Sequence, residues 1–547
     1  MNRSTAPEPS AHLDQFARDH LPPADQWPEL VFDLPELQYP ARLNCVAELL
    51  DKAVAAGRGG RLAVRGADTS WTYAGLQGQV DRIVNVLRGP MGLVPGNRVL
   101  LRGANHPMMA AAVLAVLKAG LVAVPTMPLL RARELGVIMD KAQVQAVLCA
   151  HALREEMELA PNLPAQAGRV VWFNTGAADV APELSLEALM DAQPPAAGAC
   201  DTAADDVCLI SFTSGTTGVP KGTMHFHRDV LAICDCFPRH TLQAGPDDLF
   251  IGTPPLAFTF GLGGLLLFPL RVGAAAVLLE KLTPETLLQA IETHRATVCF
   301  TAPTFYRQMA ALAGKFDLSS LKKTVSAGEA LPVATREAWQ QATGLRMIDG
   351  IGATEMLHIF ISAAGDDIRP GATGKPVPGY RACILDGAGK PVGPGVVGRL
   401  AVKGPTGCRY LADPRQADYV LDGWNLTGDA YEMDADGYFI YRSRTDDMII
   451  SAGYNIAGPE VEDALLRHPA VADCGVVGKP DDERGQVVEA HVVLKPGFEP
   501  TPAMAAQLQD FVKEQIAPYK YPRAVRFLAS LPRTETGKLQ RFKLRST

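Results

Sequence analysis

The segment at residues 213–222, Thr-Ser-Gly-Thr-Thr-Gly-Val-Pro-Lys-Gly, constrains this chain more than any other part of its sequence. It follows the apolar run 207–212, which predicts a short buried strand. Glycines let a backbone turn back and bring its N–H groups close to an anion, and hydroxyls and a lysine add donors. We therefore predict a phosphate-binding loop formed by Thr213, Ser214, Gly215, Thr216, Thr217, Gly218 and Lys221.

This loop is not the Walker A pattern of other phosphate-binding proteins. In that pattern glycine precedes the lysine and Ser or Thr follows it, whereas here Pro220 precedes Lys221 and Gly222 follows it. The alternative interpretation is a flexible Ser/Thr/Gly surface turn. A run of this many glycines, hydroxyl residues and a lysine directly after a strand rarely arises by chance, which favours the phosphate site.

The loop resembles the signature of the adenylate-forming enzymes, which include acyl-CoA synthetases, peptide-synthetase adenylation domains and beetle luciferases. The resemblance extends over almost the whole chain. It implies a large N-terminal domain at 1–443 that binds ATP and the acyl group, a hinge at 444–446, and a small mobile α+β domain at 447–547. ATP, Mg²⁺ and coenzyme A are the cofactors and co-substrates that it implies.

Composition sets limits that agree with this resemblance. The chain has 547 residues, too many for one core, so at least two domains are expected. A net charge of −7 argues against a nucleic-acid partner. The ten cysteines are scattered, and the one close pair, Cys234 and Cys236, offers too few ligands for zinc, so we expect reduced structural thiols.

The chain shows neither a secretory leader nor a membrane span in its sequence. Its N-terminus is polar and rich in proline, without a charged start followed by an apolar run. The most apolar stretches, about 105–127 and 251–270, are interrupted by Lys118, prolines and glycines, so they read as buried elements. We expect a cytoplasmic protein. The sequence leaves the oligomeric state open, with a homodimer as one alternative.

Apolar runs indicate an α/β fold. From about 45 to 350, short Val/Leu/Ala runs alternate with helix-length patterns, which predicts parallel βαβ sheets covered on both faces. Residues 1–40 predict an irregular arm, and residues 370–442, rich in Gly, Pro and short alternating runs, predict a β subdomain. A compact α+β segment follows from 447 to the end.

Several motifs match positions that bind the nucleotide in the family. The resemblance assigns Glu355 to Mg²⁺, which prefers carboxylate oxygens, and Thr354 to the α-phosphate. It assigns Asp429 to the two ribose hydroxyls and Arg444 to ribose or phosphate, although Arg444 could instead form a hinge salt bridge. The remaining nucleotide-site residues, on the adenine-binding and 349–355 segments, are Gly328, Glu329, Ala330, Asp349 and Gly350.

The C-terminal part carries the residues that the resemblance assigns to domain movement and catalysis. Asp446 matches the hinge residue, and Gly453 matches a loop that lines the tunnel for the CoA thiol. Lys538, in Pro-Arg-Thr-Glu-Thr-Gly-Lys, matches the adenylation lysine, a mobile point charge. No carrier-protein sequence follows Lys538, so free CoA is the expected acceptor.

Three segments, 224–227, 256–263 and 356–360, are expected to line the acyl pocket. Their aromatic and small residues suit a flat ring, although Phe258, Phe260 and Ile359 could also be plain core. The third segment and 517–523 closely resemble benzoate-CoA ligases, whereas Thr259-Phe260 and 454–459 look more like the 2-aminobenzoate-CoA ligase branch. The candidate acyl-binding residues are His227, Phe258, Thr259, Phe260, Gly352, His358 and Ile359.

We therefore expect an aromatic acid–CoA ligase that forms an acyl-adenylate and then a thioester, with 2-aminobenzoate as substrate. The alternatives are a benzoate-CoA ligase, an aryl-alkanoic or medium-chain acyl-CoA ligase, and a luciferase-like oxygenase that uses the same adenylate. A non-catalytic nucleotide-binding relic is disfavoured because Lys221, Glu355 and Lys538 are all intact.

Overall fold

Strands and helices alternate through most of the chain in the computed structural model. The structure describes residues 9–166, 168–176, 178–213, 220–445, 447–451, 454–481, 484–534 and 538–545. The apolar runs predicted as strands form strands, with ends displaced by one to three residues: the run 274–279, for example, shortens to Ala275–Val277.

The described residues form four sheets. The strands of the first sheet are β3 Arg98–Arg102, β4 Val122–Thr126, β5 Ala146–Ala150, β6 Val170–Phe173, β7 Val207–Thr213 and β8 Lys221–Phe226. Those of the second are β1 Leu62–Arg65, β2 Ser70–Thr72, β9 Leu249–Gly252, β10 Ala275–Val277, β11 Val298–Thr301, β12 Lys323–Ser326, β13 Met347–Gly352, β14 Ile359–Ser362 and β15 Lys375–Pro376. The third contains β16 Arg381–Leu385, β17 Val397–Lys403, β18 Val420–Leu421, β19 Trp424–Met433 and β20 Phe439–Arg444. The fourth contains β21 Ile449–Ser451, β22 Tyr454–Ile456, β23 Val471–Asp481, β24 Gly485–Leu494 and β25 Ala524–Phe527.

The α-helices are α1 Phe16–Asp19, α2 Tyr73–Arg88, α3 Pro107–Lys118, α4 Ala132–Ala142, α5 Arg154–Glu158, α6 Leu186–Asp191, α7 His227–Cys236, α8 Thr259–Leu262, α9 Phe268–Val272, α10 Pro284–His294, α11 Pro303–Ala310, α12 Val333–Thr343, α13 Gln416–Tyr419, α14 Gly458–Leu466, α15 Pro502–Gln515 and α16 Arg541–Arg545. Short 3₁₀ turns lie at Ala24–Gln26, Pro35–Leu37, His151–Leu153, Pro182–Leu184, Ala313–Lys315, Thr354–Met356, Gly365–Asp367 and Pro518–Lys520, and π-helical turns lie at Ala47–Asp51, Val54–Arg58, Phe237–Thr241 and Gly263–Leu267.

Helices α2 and α3 pack between the first two sheets. Every residue of α3 is buried, which is the property of a helix enclosed on all sides. Successive residues of a strand face opposite cores: Val99 and Leu101 of β3 join the central core with α2 and α3, whereas Leu100 joins an outer core with α4. Helices α10, α11 and α12 contribute to the core on the outer face of the second sheet. The predicted α/β architecture with covered parallel sheets is therefore confirmed.

The segment before the first strand ties two parts of the large domain together. Val31 donates its N–H to the Gly404 carbonyl next to the third sheet, and Asp14 pairs with Arg98 of the first sheet at 2.5 Å. The third sheet is antiparallel and is the predicted β subdomain.

A change of sheet marks the start of the C-terminal part. The third sheet ends at Arg444 and the fourth begins at Ile449. The fourth sheet has its own apolar core with α14 and α15. The hinge residue proposed there, Asp446, lies outside the described residues, so the boundary at 444–446 stays a prediction. None of the helices in the described ranges combines the length and the apolar character that a membrane crossing requires.

The central layer contains a buried cation. Lys118, at the end of α3, is 1% exposed, and its Nζ lies 2.6 Å from Asp81 Oδ1 and 2.7 Å from Asp51 Oδ1. The two carboxylates offset the desolvation free energy of this buried charge, and the lysine in turn compensates their negative charge.

We expect Lys118→Met to destabilise the protein by about 3 kcal/mol or more, because it leaves the buried Asp81 carboxylate without its cation. Urea unfolding followed by tryptophan fluorescence measures the effect. The matched control is Lys52→Met: this lysine is 68% exposed and pairs with Glu48, so its loss should move the midpoint little. Equal shifts for the two variants would contradict the role given to Lys118.

Candidate functional site

The two strands that flank the phosphate loop form a hairpin. Strand β7 ends at Thr213 and β8 begins at Lys221, and these two residues pair across the antiparallel ladder. The hydroxyl of Thr213 is buried and has no hydrogen-bond partner within the described chain, so it remains available as a donor. Ser214, Gly215, Thr216, Thr217 and Gly218 lie outside the described residues, and their phosphate contacts stay a prediction.

Lys221 and Glu355 meet through a tyrosine that the sequence analysis did not identify. The Lys221 ammonium donates to Tyr410 Oη at 2.9 Å, and that hydroxyl donates to Glu355 Oε1 at 2.5 Å. Lys221 Nζ is 3.9 Å from the same carboxylate oxygen. Burial and the Glu355 charge raise the pKa of Tyr410, so the phenol keeps its proton and acts as a donor.

Glu355 is 8% exposed and accepts a hydrogen bond on one oxygen. A single carboxylate together with phosphate oxygens is a usual ligand set for Mg²⁺. The residues at this position therefore fit the metal that the resemblance implies.

A buried chain of polar contacts positions the backbone at Thr354. His225 Nε2 donates to the Thr354 carbonyl at 2.8 Å, and its other ring nitrogen lies 3.8 Å from Asp229. Arg409 pairs with Asp229 at 2.8 Å, and both side chains are fully buried. Burial alone would raise the pKa of Asp229, but the Arg409 guanidinium and His225 hold it at about 2. Neither His225 nor Arg409 carries a local sequence signal, because their partners are distant in the chain.

The residues expected at adenine lie where β12 ends. Gly328 has a φ of +91°, a conformation that favours glycine. Glu329 is half-buried, and Ala330 is exposed. Burial raises the pKa of Glu329 to about 7, although Arg533 and Lys538 lower it.

The next strand carries Asp349 and Gly350. Burial raises the pKa of Asp349 to about 7, and the nearby Arg336 opposes this shift. A Cβ atom at Gly350 would lie 2.7 Å from Ile359 Cδ1, so glycine is needed for these strands to pack.

Asp429 and Arg444 face each other across β19 and β20. Arg444 Nη1 lies 3.1 Å from Asp429 Oδ1 and donates to the Thr427 carbonyl at 3.0 Å. Burial raises the pKa of Asp429, and the charges of Arg444 and Lys538 lower it. The predicted ribose aspartate and its arginine are therefore brought together as a pair.

Lys538 comes to this site from the C-terminal part. Its backbone N–H donates to Thr534 Oγ1 at 3.0 Å, and its carbonyl accepts from the Thr534 N–H at 2.7 Å. Its charge lowers the pKa values of both Glu329 and Asp429, the carboxylates predicted at the adenine and the ribose.

Arg533, which the sequence analysis did not single out, contacts both parts of the chain. It bonds Glu329 at 3.1 Å and Asp473 of β23 at 2.9 Å. Two further polar contacts cross the same boundary: Arg307 pairs with Asp473 at 3.3 Å, and Asp463 accepts from the Val333 N–H at 2.8 Å. Asp446 and Gly453 lie outside the described residues, and their roles stay predictions.

Most of the predicted acyl-binding residues meet around His358. Its ring contacts Phe268 and Phe260 at centroid distances of 4.4 and 5.7 Å, with Phe237 and Phe300 slightly farther away. His358 Nε2 lies 3.4 Å from the Phe260 carbonyl. Burial lowers the pKa of His358 to about 3, so the ring is neutral at physiological pH.

Small residues surround His358, as the sequence pattern suggested. A Cβ at Gly263 would lie 2.4 Å from the ring, and one at Gly352 would lie 2.9 Å from the His358 backbone. Thr259 is the first residue of α8, and Phe258 immediately precedes it; both are half-buried. Ile359 is 2% exposed and packs against Gly350.

His227 is not brought into this aromatic group by any of its described contacts. It begins α7, is fully buried, and its Nδ1 lies 3.2 Å from Cys45 Sγ. The start of the helix directs the ring toward the N-terminal segment, whereas the neighbouring His225 points to Thr354. The described side-chain contact of His227 is thus with a cysteine, and its assignment to the acyl pocket stays a prediction.

Comparison with known proteins gives two family matches. The AMP-binding enzyme family matches residues 51–410, and the AMP-binding enzyme C-terminal domain matches residues 460–538. A benzoate–CoA ligase of Thauera aromatica is 36% identical over 522 residues, which cover 94% of this chain and 97% of that protein.

Two solved structures are similar over nearly the whole chain. The anthranilate CoA ligase AuaEII, in complex with anthranoyl-AMP, has a TM-score of 0.88 and 34% identity and covers 94% of this chain and 98% of that one. A benzoate CoA ligase from Burkholderia xenovorans LB400 has a TM-score of 0.82 and 33% identity, with 92% and 100% covered.

We expect Tyr410→Phe to slow adenylate formation roughly tenfold to a hundredfold, because a hydrogen bond to a charged group contributes about 1.5–3 kcal/mol. ATP–pyrophosphate exchange in the presence of the acid substrate measures this step. Tyr419→Phe is the matched control, since that buried tyrosine packs 5.7 Å from the Tyr410 ring and its hydroxyl has no hydrogen-bond partner in the described chain. Similar rates for Tyr410→Phe and wild type would rule out this bridge as part of the catalytic machinery.

Proposed function

Because this chain belongs to the AMP-binding enzyme family and is an AMP-forming acyl-CoA ligase, we propose that it activates an aromatic carboxylic acid, with 2-aminobenzoate (anthranilate) as its preferred substrate. ATP and CoA are its co-substrates. One observation carries the proposal. His358 is neutral, it lies among aromatic side chains, and its Nδ1 is an acceptor without a hydrogen-bond partner in the described chain.

The protonation of His358 follows from its contact with a carbonyl. A carbonyl oxygen can only accept, so the nitrogen 3.4 Å from the Phe260 oxygen carries the proton. The other ring nitrogen, Nδ1, is then an acceptor, and it is buried without a partner in the described chain. An amino group ortho to the substrate carboxylate would satisfy it, whereas benzoate would leave it unpaired.

The chemistry requires positive charge at the α-phosphate. A carboxylate oxygen of the acid attacks the α-phosphorus, the bond to the bridging oxygen of the β-phosphate breaks, and pyrophosphate leaves with the electron pair. Two anions approach each other, so preorganised cations and donors contribute most to the rate. Lys221, Thr354 and Lys538 are the groups that we assign to this task.

Mg²⁺, bound by Glu355 and phosphate oxygens, would supply further positive charge to the leaving pyrophosphate. Tyr410 holds the Glu355 carboxylate in place through a donated hydrogen bond. Asp429 and Arg444 are assigned to the ribose, and Glu329 and Asp349 to the surroundings of the adenine.

The second half-reaction needs a different surface at the same site. The CoA thiolate attacks the acyl carbon, and AMP leaves with its electron pair. We propose that residues 447–547 rotate about a hinge at 444–446, with Asp446 as the pivot, which withdraws Lys538 and presents the loop that contains Gly453. The polar contacts of Arg533 and Asp473 with the large domain suit the adenylating orientation.

We expect Lys538→Ala to reduce adenylate formation by roughly two to three powers of ten, as loss of a key electrostatic group does. Thioester formation from supplied acyl-adenylate should be largely spared, because Lys538 would have left the site by then. Pyrophosphate exchange and CoA-ester yield measure the two steps separately. Lys543→Ala, an exposed lysine of α16, is the control. Equal loss of both half-reactions would argue against the two-orientation mechanism.

Substrate choice is tested by CoA-dependent AMP release with benzoate, 2-aminobenzoate, salicylate, phenylalkanoates and straight-chain fatty acids. We expect 2-aminobenzoate to exceed benzoate about tenfold in kcat/KM, since one hydrogen bond contributes on the order of 1 kcal/mol. Benzoate is the second candidate, favoured by the phenylalanine rings around His358 and by the Thauera aromatica relative. A clear preference for benzoate would replace the proposed substrate, and a preference for straight chains would remove the aromatic assignment.

Thr259 gives a second test of the same pocket. We expect Thr259→Ala to lower kcat/KM for 2-aminobenzoate by up to about tenfold, the value of one hydrogen bond, and to leave benzoate nearly unchanged. Benzoate is thus the internal control for folding and nucleotide binding. A parallel fall for both acids would show that Thr259 contributes packing and not recognition.

A further inference from the structure

Two cysteines and a histidine meet in the core at the base of the phosphate hairpin. Cys45 lies just before the helical segment Ala47–Asp51, Cys208 lies on β7, and His227 begins α7. One sulfur or nitrogen atom from each of the three lies within 4.8 Å of those from the other two. All three side chains are fully buried. The acyl-CoA ligase reaction makes no use of this group.

The orientation of His227 leaves a ligating lone pair on the side of the sulfurs. Its Nδ1 lies 3.2 Å from Cys45 Sγ and accepts the Cys45 backbone N–H at 3.3 Å, so the ring proton is on Nε2. Nε2 itself is buried without a partner in the described chain. A metal at Nδ1 would leave the Cys45 N–H free to donate to a thiolate sulfur.

A further imidazole lies in the same part of the core. Both ring nitrogens of His12 are buried and have no hydrogen-bond partner among the described residues. Burial lowers the pKa of His12 to about 4, so its ring is neutral at physiological pH. This part of the core therefore contains more nitrogen and sulfur atoms able to coordinate a metal than its hydrogen bonds occupy.

We propose that Cys45, Cys208 and His227 bind one Zn²⁺ ion. Two thiolates and an imidazole are typical zinc ligands, and Ca²⁺ and Mg²⁺ prefer oxygen. Two thiolates also cancel the charge of the cation, so the complex enters the core without net charge. On binding, each thiol loses its proton to solvent and forms a metal–sulfur bond, with no change in oxidation state.

The environment of the thiols is consistent with metal binding. Burial raises the pKa of Cys45, and the hydrogen bond from the Cys208 S–H opposes this effect and lowers it. Burial raises the pKa of Cys208, so the cation must displace that proton. The other close pair, Cys234 and Cys236, is different: Cys234 Sγ already donates to the Val230 carbonyl at 3.1 Å.

The ion would join three parts of the chain that hold the phosphate loop. Cys208 is on the strand that enters the loop, His227 follows the strand that leaves it, and Cys45 belongs to the N-terminal segment. A metal–ligand set drawn from separate segments stabilises a fold strongly because the site does not exist in the unfolded chain.

Metal analysis of the full chain, purified without a polyhistidine tag, tests the proposal. We expect about one zinc per chain in the wild type and less than about a tenth in the double variant Cys45→Ser/Cys208→Ser, because structural zinc needs its thiolates. His227→Gln should also lose the metal. Cys234→Ser removes an equally buried thiol of α7 and should keep it. Wild-type protein from zinc-supplemented cells that contains no stoichiometric zinc would overturn the proposal, as would full zinc content in the double variant.

A second measurement does not depend on the stability of the variants. Wild-type protein produced in minimal medium with Co²⁺ in place of Zn²⁺ should show a thiolate-to-cobalt charge-transfer band in the near ultraviolet. Catalytically active protein without that band, or with a Cys45–Cys208 disulfide found by mass spectrometry without reductant, would exclude the site. This outcome is independent of which acid the enzyme activates.

Discussion

The buried ion pair between Arg409 and Asp229 fixes the relative positions of the residues that we assign to catalysis. Arg409 belongs to the loop between β17 and β18 of the third sheet, and Asp229 belongs to the helix that follows the phosphate hairpin. Loss of one partner of such a pair costs about 3–5 kcal/mol because a charge is left uncompensated. Asp229 faces His225, which holds the Thr354 carbonyl, and Tyr410, next to Arg409, joins Lys221 to Glu355. Groups from three segments therefore meet where we propose that phosphate binds.

The contact between the two parts of the chain has the opposite character. It contains ion pairs of Arg533 and Arg307 with half-buried carboxylates and one hydrogen bond that the Val333 N–H donates to Asp463. Polar contacts of this kind contribute little each and are easily exchanged for water. A buried ion pair beside the Lys221–Tyr410–Glu355 group and a polar contact with the C-terminal part suit the two half-reactions that we propose.

Predictions from the sequence were most accurate where a pattern is local. The apolar runs gave the strands, since alternating strand residues face two cores and must both be apolar, as Val99 and Leu100 are. Gly263 and Gly352 were expected at the acyl pocket and both lie against His358, whereas Gly350, which was assigned to the nucleotide, lies against Ile359. The sequence did not identify four residues of the candidate site, because their partners are distant in the chain: Tyr410, Arg409, His225 and Arg533. His227 was assigned to the acyl pocket from its position after the loop; its described contact is with Cys45, and the assignment stays a prediction.

The sequence by itself determined the class of fold and the chemistry, because both depend on residue types at fixed short spacings: apolar runs for strands, and glycines, hydroxyls and a lysine for a phosphate loop. Only the tertiary structure decided how these residues are connected. The protonation of His358 depends on a carbonyl 98 positions earlier in the chain, and the Cys45, Cys208 and His227 group draws on three separate segments. Burial and hydrogen bonding set the charge and orientation of a side chain, and both arise from neighbours that folding brings together across long stretches of sequence.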